Sequence, residues 1–405
     1  MTTFISLGLL ALLAVAVTVA HGDTPPPASA VLSLVQVVTR HGDRTPTTAI
    51  ASDPATWICH ASTVLSPLLD PPSHASVPSM GRLFNLRFID GRQPLAGNCS
   101  TGQLTNIGQK QQLMLGAELR KRYVEDVPLL PGSYDADLMY VRATDVPRTI
   151  MSAEELINGM YPMPSGSSSS SQVVATWTID TSRDPMSINP KLCPAISETI
   201  GEFLAHNLTV AERVTALLLP FVPELDRALQ TKDPLKALAY YDNINCRVHH
   251  DLPLPGSPPL SMAAYHALYA AWNEVGIALF HGSAFSLGPF YATLLDNMAA
   301  ANTGGSGLAK FRLFSGHDTS VGPLLAAMGL WTVPGAPSNA TVRVLYLGKP
   351  VVLPACAGAE YCPLATFAAT LKLSIPDDYQ EACKIKKLTS DASVTAIDYL
   401  HSVWR

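Results

Sequence analysis

The segment that decides the fold joins a short apolar run, residues 31–39, to the heptapeptide Arg40-His41-Gly42-Asp43-Arg44-Thr45-Pro46. The run is rich in valine and carries no charge, which is typical of a strand buried on both faces. Basic side chains follow at once, at the end of the strand where ligands bind in open α/β sheets. Guanidinium groups on either side of a histidine suit an anion, above all a doubly charged phosphoryl group. A solvated basic turn is the alternative when the segment is read alone.

The 405 residues allow a large core, with two domains or one domain that carries a big insertion. Hydrophobic residues make up 47% and charged residues 15% of the sequence, so most of the chain is expected to be packed. The net charge of -5 and the lack of a basic tract argue against nucleic acid as a partner.

Residues 1–22 have the pattern of a secretory signal peptide. An apolar run from Phe4 to Ala20 precedes small residues that allow cleavage after Ala20 or Gly22. The first three residues lack the usual positive charge, so an uncleaved anchor is the alternative. No later stretch approaches the roughly 20 apolar residues of a spanning helix. The mature chain is therefore expected to be soluble, and either secreted or held in the lumen of the endomembrane system.

Glycosylation sequons and cysteines agree with secretion. The sequons begin at Asn98, Asn207 and Asn339. The cysteines are Cys59, Cys99, Cys193, Cys246, Cys356, Cys362 and Cys383. None falls in a zinc-like CxxC pair, so disulfides are the better interpretation, with Cys59 to Cys99 tying a long loop region. Because the number is odd, at least one cysteine is unpaired or bonded to another chain.

Two more strands are predicted to end in reactive side chains. Thr105 can cap an amphipathic helix that runs to about Tyr123, and residues 136–141 then form a buried strand that ends directly before Arg142. A third strand, residues 310–314, is followed by His317 and Asp318. Strand, helix and strand make a right-handed crossover unit, which brings the strand ends to the same edge of a sheet.

The rest of the chain separates a sheet core from an insertion. Apolar positions recur at helical spacing from about residue 151 to 305, which indicates a helical lobe over the carboxyl ends of the strands. The α/β core would consist of residues 30–150 and 306–405. Within it, residues 341–347 and 351–353 are typical of an antiparallel hairpin at one edge of the sheet.

With these motifs the chain resembles the histidine acid phosphatases of the phosphoglycerate-mutase-like superfamily. The resemblance rests on R-H-G-x-R-x-P at residues 40–46, on Arg142-Ala143-Thr144-Asp145 with Arg148-Thr149, and on His317-Asp318-Thr319. It extends over most of the mature chain, more loosely in the helical lobe. It implies an α/β fold in which helices flank a central mixed sheet and an inserted, mostly helical cap domain covers the site.

The resemblance also implies roles for individual residues. His41 would be the nucleophile that forms a phosphohistidine, and Asp318 would protonate the leaving oxygen, which favours an acid optimum. The side chains that would hold the phosphate are Arg40, Arg44, Arg142 and His317. Arg148 either has a structural role or reaches the phosphate, and the structural role is favoured. This chemistry requires neither a cofactor nor a metal.

For the cysteines, the resemblance implies the pairs Cys193–Cys383 and Cys356–Cys362. Cys246 matches a family cysteine whose partner is missing from this chain, so Cys246 is expected to be unpaired. Cys59–Cys99 would then be an additional bridge.

The function implied is that of a secreted acid phosphatase of broad specificity, acting on small phosphomonoesters or phosphoproteins. A phytase would keep the same catalytic residues but needs a basic rim, and residues 47–100 are poor in lysine. A catalytically inactive binding protein on the same fold is disfavoured because all six catalytic positions are filled. A phosphotransferase of the mutase type is disfavoured by secretion. Dimers are common in the family, so both a monomer and a homodimer are open.

Overall fold

The computed structural model describes residues 12–19, 31–50, 55–59, 64–65, 84–85, 92–162, 173–199, 208–303, 307–329, 341–346 and 349–384. The strands are β1 (Leu12–Val19), β2 (Val31–Arg40), β3 (Val64–Leu65), β4 (Phe84–Asn85), β5 (Met139–Ala143), β6 (Thr176–Trp177), β7 (Phe311–Gly316), β8 (Thr341–Tyr346), β9 (Lys349–Val351) and β10 (Cys362–Pro363). The helices are α1 (Asn106–Arg120), α2 (Pro147–Met160), α3 (Leu208–Leu218), α4 (Val222–Leu229), α5 (Pro234–Ala237), α6 (Tyr241–His249), α7 (Met262–Ser283), α8 (Gly288–Asn302), α9 (Asp318–Ala327), α10 (Leu364–Lys372) and α11 (Tyr379–Ala382).

Eight strands form one mixed sheet in the order β10-β8-β1-β2-β7-β5-β6, with β9 paired to β8. Strands β2, β7, β5 and β6 run parallel to one another. Arg40 at the end of β2 pairs with Gly316 of β7, and Ser315 pairs with Ala143 of β5. The three strands that precede the basic motifs therefore end side by side, which confirms the predicted mixed α/β fold.

Strand β2 lies between two hydrophobic cores, one on each face of the sheet. Leu34 and Val38 face one core, together with residues of α8, α9 and α10. Val35 and Val37 face the other core, together with residues of α1 and α2. All four side chains are fully buried, because successive residues of a strand point to opposite faces and both faces are covered by helices. The predicted double burial is confirmed.

A third core lies within the lobe, where residues of α3 to α7 between Val210 and Val275 pack together. The bounds predicted for the insertion, residues 151–305, stay a prediction, and several elements within them contact the sheet. Helix α2 packs on the sheet, β6 pairs with β5, and α8 covers the opposite face of the sheet. Helical spacing in the sequence shows that a helix has an apolar face, but not which layer that face contacts.

The amino-terminal strand falls inside the predicted signal peptide. Strand β1 pairs antiparallel with both β2 and β8. An uncharged apolar run suits a secretory signal and a central strand equally well, since both exclude charge. Cleavage of residues 1–22 would remove β1, so processing of the chain stays a prediction. No helix in the described parts of the chain is both long and apolar enough to cross a bilayer.

Three disulfides occur among the described residues, and they are the expected pairs. They join Cys59 to Cys99, Cys193 to Cys383, and Cys356 to Cys362. Cys246 is buried with a free thiol, as expected. The expected hairpin is formed by β8 and β9. Of the three sequons, Asn98 is described, whereas Asn207 and Asn339 lie outside the described residues.

Candidate active site

The loop after β2 is held by direct contact with the start of α1. A Cβ atom on Gly42 would lie 2.2 Å from the carbonyl oxygen of Gly108, so only glycine allows this approach of two backbones. The N–H and hydroxyl of Thr105 both donate to the carbonyl of Asp43, at 3.0 and 3.1 Å. The Thr105 side chain also accepts from the N–H of Gly108, which caps the helix. The cap that starts α1 therefore also fixes the motif loop.

His41 is oriented by the backbone of its own loop. Its Nδ1 lies 2.8 Å from the carbonyl oxygen of Gly42. Since a carbonyl only accepts, Nδ1 carries the proton and Nε2 keeps a free lone pair. Burial, followed by the charges of Arg40, Arg148 and Arg44, lowers the pKa of His41 well below its usual value. Burial and these charges therefore favour the neutral, nucleophilic form of the ring.

His317 faces His41, with ring centroids 5.4 Å apart and planes at 75°. Its Nδ1 lies 3.4 Å from Nη2 of Arg148, and its Nε2 lies 2.9 Å from the hydroxyl of Thr144. A guanidinium only donates, so Nδ1 accepts from Arg148 and Nε2 carries the proton. Burial lowers the pKa of His317 well below its usual value, and the charges of Arg148 and the other site arginines add to this effect.

Two threonines fix the proton positions behind His317. The hydroxyl of Thr149 donates to the carbonyls of Thr144 and Val146, at 2.9 and 2.8 Å. It therefore accepts from the hydroxyl of Thr144, 2.9 Å away, and that hydroxyl in turn accepts from Nε2 of His317. Sequence reasoning assigned no role to these threonines, although both lie in the quoted Arg-Ala-Thr-Asp and Arg-Thr motifs.

Asp318 stands at the open side of the site. It is the first residue of α9, directly after His317, and 51% of its side chain is exposed. Its Oδ2 lies 3.7 Å from Nε of Arg40. A carboxyl group at this place can exchange protons with solvent, and it lies beside the guanidinium of Arg40.

Arg44 is held by a carboxylate from the lobe. Its Nη1 and Nη2 donate to Oδ2 and Oδ1 of Asp242, at 3.0 and 2.9 Å. Asp242 lies on α6, which is 198 residues further along the chain. Sequence reasoning missed Asp242, because no local pattern distinguishes it from other helix carboxylates.

Arg142 forms an ion pair with a buried carboxylate. Its Nη2 donates to Oδ1 of Asp184 at 2.6 Å, and both side chains are buried. Burial raises the pKa of Asp184, and the charge of Arg142 opposes that rise. The structure thus places Arg142 of β5 in a buried ion pair, and its expected contact with phosphate stays a prediction.

Arg148 is close to both histidines, although it was expected to be structural. It lies in the first turn of α2, directly after Pro147, and contacts His317. Burial and the nearby charges of Arg44 and Arg92 lower the pKa of Arg148 to about 9, so the group is crowded by positive charge but protonated in acid. Its place in the first turn of the helix that follows β5 is the signal that could have identified it.

Together the site presents two histidines whose pKa is lowered, three guanidinium groups from Arg40, Arg44 and Arg148, and one exposed carboxyl group. This arrangement can bind a tetrahedral dianion and attack it with an imidazole nitrogen. Among the described residues, no group of three His, Cys, Asp or Glu side chains could hold a metal ion.

Sequence comparison places the chain among phosphatases. A model of the histidine phosphatase superfamily, branch 2, matches residues 31–254, more than half of the chain. Counting factor 60 of Dictyostelium discoideum is 29% identical over 392 residues, covering 88% of this chain and 89% of that protein. A lysosomal acid phosphatase of Xenopus laevis is 30% identical over 327 residues, covering 70% of this chain and 71% of that protein.

The fold is shared with solved structures. The phytase of Klebsiella sp ASR1 has a TM-score of 0.56 at 17% identity, and the match covers 88% of this chain and 100% of that one. At this identity the likeness concerns the fold alone. The motif residues at the ends of β2 and β5 lie within the matched region, and those that follow β7 lie beyond it. The chain therefore belongs to branch 2 of the histidine phosphatase superfamily.

Proposed function

We propose that this protein hydrolyses phosphate monoesters in acid through a phosphohistidine on His41, with Asp318 as the proton donor. The observation that carries the proposal is the state of His41. Its Nδ1–H is bound to a carbonyl, its Nε2 lone pair is free, and its pKa is lowered by burial and by the site arginines. An imidazole in this state is a nucleophile at a pH where ordinary histidines are protonated.

The reaction would proceed in two displacements. In the first, Nε2 of His41 bonds to phosphorus, the ester P–O bond breaks, and protonated Asp318 gives its proton to the leaving oxygen. In the second, water attacks phosphorus, the P–N bond breaks, and the Asp318 carboxylate takes a proton from that water. His41 returns to its neutral form and inorganic phosphate leaves.

The guanidinium groups would bind the non-bridging oxygens and neutralise the charge of the transition state. In our proposal this role belongs to Arg40, Arg44 and Arg148. His317 would contact the same phosphoryl group. Support for Arg148 comes from its contact with His317 and from its effect on the pKa of His41. Arg142, the residue expected from the sequence, would instead support the site through Asp184.

We propose that the protein is exported to an oxidising compartment. The apolar residues 4–20, the sequons and the three disulfides support secretion or an endomembrane lumen. A relative is named as a lysosomal acid phosphatase, which agrees with an acidic compartment. A homodimer stays a proposal that rests on the family resemblance alone.

The deciding experiment compares wild type with His41→Ala on an aryl phosphate. We expect the variant to lose turnover while it still binds inorganic phosphate, and we expect wild type to form an acid-labile phosphoenzyme that the variant lacks. Turnover that survives in His41→Ala would contradict the mechanism. Wild type that releases no phosphate would favour the alternative of a binding protein on this fold.

Inositol hexakisphosphate is the second substrate class to test. Arg92 lies near enough to contribute to the lowered pKa of Arg148, which supports an additional cation at the rim of the site. Rates for this compound and for an aryl phosphate, measured across about pH 4 to 7, separate a phytase from a phosphatase of broad specificity. We expect the aryl phosphate to be hydrolysed faster.

A further inference from the structure

We propose that Asp242, on helix α6 of the lobe, is a positioning residue that determines which edge of the Arg44 guanidinium faces the phosphoryl group. The inference rests on the phosphatase function proposed above. It assigns part of the phosphate site to the lobe, although the predicted catalytic side chains all come from the sheet core.

The carboxylate of Asp242 is fully engaged. Its Oδ1 accepts from Nη2 of Arg44 at 2.9 Å, and its Oδ2 accepts from Nη1 of Arg44 at 3.0 Å. Oδ2 also accepts from the N–H and the hydroxyl of Thr47, both at 2.8 Å. Burial alone would raise the pKa of Asp242, but Arg44 and the Thr47 hydrogen bonds outweigh it and hold this pKa at about 2. The group is therefore ionised throughout the acid range of the proposed reaction.

These contacts leave one edge of Arg44 for a ligand. A guanidinium has five N–H donors. Asp242 takes two of them, and the carbonyl of Thr45 takes a third from Nη1 at 3.1 Å. The donors left are Nε–H and one N–H of Nη2, which lie side by side, and Nε is buried with no hydrogen-bond partner among the described residues. A fork of this kind matches two oxygens of a phosphoryl group, which would satisfy the buried donor.

Helix α6 also holds the loop that carries Thr47. Asn243, the next residue, donates from Nδ2 to the carbonyl of Thr48 at 3.0 Å. The loop after the motif is thus fixed to the lobe at two successive residues. Loss of the Asp242 carboxylate would leave Arg44 free to turn another edge toward the ligand, and a displaced guanidinium stabilises the transition state less well.

A double-mutant cycle with Arg44 distinguishes a positioning role of Asp242 from a purely structural one. If Asp242 positions Arg44, the effect of replacing Asp242 depends on the residue at position 44. Asp242→Asn keeps the shape and removes the charge. We expect it to lower kcat/KM for an aryl phosphate by about 10- to 100-fold, and to weaken inhibition by inorganic phosphate in parallel. In an Arg44→Lys background, Asp242→Asn should lower kcat/KM by less than about threefold, because lysine has no pair of adjacent N–H donors to orient.

The matched control is Glu274→Gln, which also removes the charge of a lobe carboxylate that is paired with an arginine. Oε2 of Glu274 lies 2.9 Å from Nε of Arg213, and this pair does not involve Arg44. We expect this variant to keep kcat/KM within about twofold of wild type, even where its melting temperature falls. The proposal would be overturned if Asp242→Asn lowered kcat/KM equally in both Arg44 backgrounds, or if Glu274→Gln lowered it as much as Asp242→Asn.

Two further measurements keep the test decisive. If Asp242→Asn does not fold, Thr47→Val removes one donor to Oδ2 and should lower kcat/KM about two- to fivefold, again only with Arg44 present. If wild type hydrolyses no ester, the proposed function fails, but the positioning role is still measured by the rise in melting temperature with inorganic phosphate. The rise in melting temperature with phosphate should be smaller in Asp242→Asn than in wild type. An equal rise in the two proteins would refute the positioning role.

Discussion

The rings of His41 and His317 meet edge to face, with centroids 5.4 Å apart. In the free protein neither ring offers a proton to the space between them. His41 directs its Nδ1–H to the Gly42 carbonyl, and His317 directs its Nε2–H to Thr144. An anion bound there would receive a hydrogen bond from His317 only after that ring takes up a proton on Nδ1.

Anion binding should therefore be coupled to proton uptake. The arginine charges that help to lower the pKa of His317 would be offset by a bound dianion, so this pKa should rise on binding. We expect sulfate, which stays a dianion, to bind with uptake of about one proton at about pH 5. Calorimetry in two buffers of different ionisation enthalpy measures the uptake. In His317→Asn it should vanish, and an uptake that persists in that variant would contradict the assignment.

Arg148 and Arg142 should differ sharply when each is replaced by glutamine. Arg148→Gln should lower kcat/KM by about 100- to 1000-fold, as expected for loss of a donor to the transition state. Arg142→Gln should lower the free energy of unfolding by about 3–5 kcal/mol, because it leaves the buried Asp184 charge unpaired.

Steady-state kinetics and urea unfolding on both variants check this contrast. Adding Asp184→Asn to Arg142→Gln should recover part of the stability, since it removes the unpaired charge. If Arg142→Gln instead remained stable and lost phosphate binding, Arg142 would regain the role that the sequence predicted for it.

Stability toward acid should depend on Asp242. Its pKa of about 2 in the folded protein lies below the value of about 3.9 for an unfolded aspartate. The stabilisation is therefore complete above about pH 4 and is lost as the pH falls toward about 2, with a size of about 2 kcal/mol. Urea unfolding of wild type at these two pH values should show the loss. Asp242→Asn should show a smaller dependence on pH over the same range, and an equal dependence would contradict the shift.

Amino-terminal sequencing of the exported protein tests the fate of β1. We expect the mature chain to begin at His21 or Asp23, as the small residues at the predicted cleavage site indicate. Strands β2 and β8 both run antiparallel to β1 and hence parallel to each other, so their edges have matching directions once β1 is removed. A mature chain that still contains residues 12–19 would show that β1 is a permanent part of the sheet.

Local patterns in the sequence were sufficient to predict the strands that carry the site. Runs of buried residues followed by charged motifs identified β2, β5 and β7, and the capping residue Thr105 identified the start of α1. Side-chain partners could not be predicted in the same way. Arg142 lies in β5 and Arg148 in the helix that follows, and the sequence does not show that Asp184 pairs with Arg142. Such pairings depend on tertiary packing, which leaves no periodic signal in the sequence.

The four donors gathered on Asp242 restrict how the lobe can evolve or be exchanged. A graft of residues 208–303 from a relative would carry its own residue at this place, and one without an acid would leave a buried cation with no counter-charge. Substrate preference can diversify on other surfaces of the lobe, whereas the turn of α6 that holds Asp242 must stay matched to the core on which it rests.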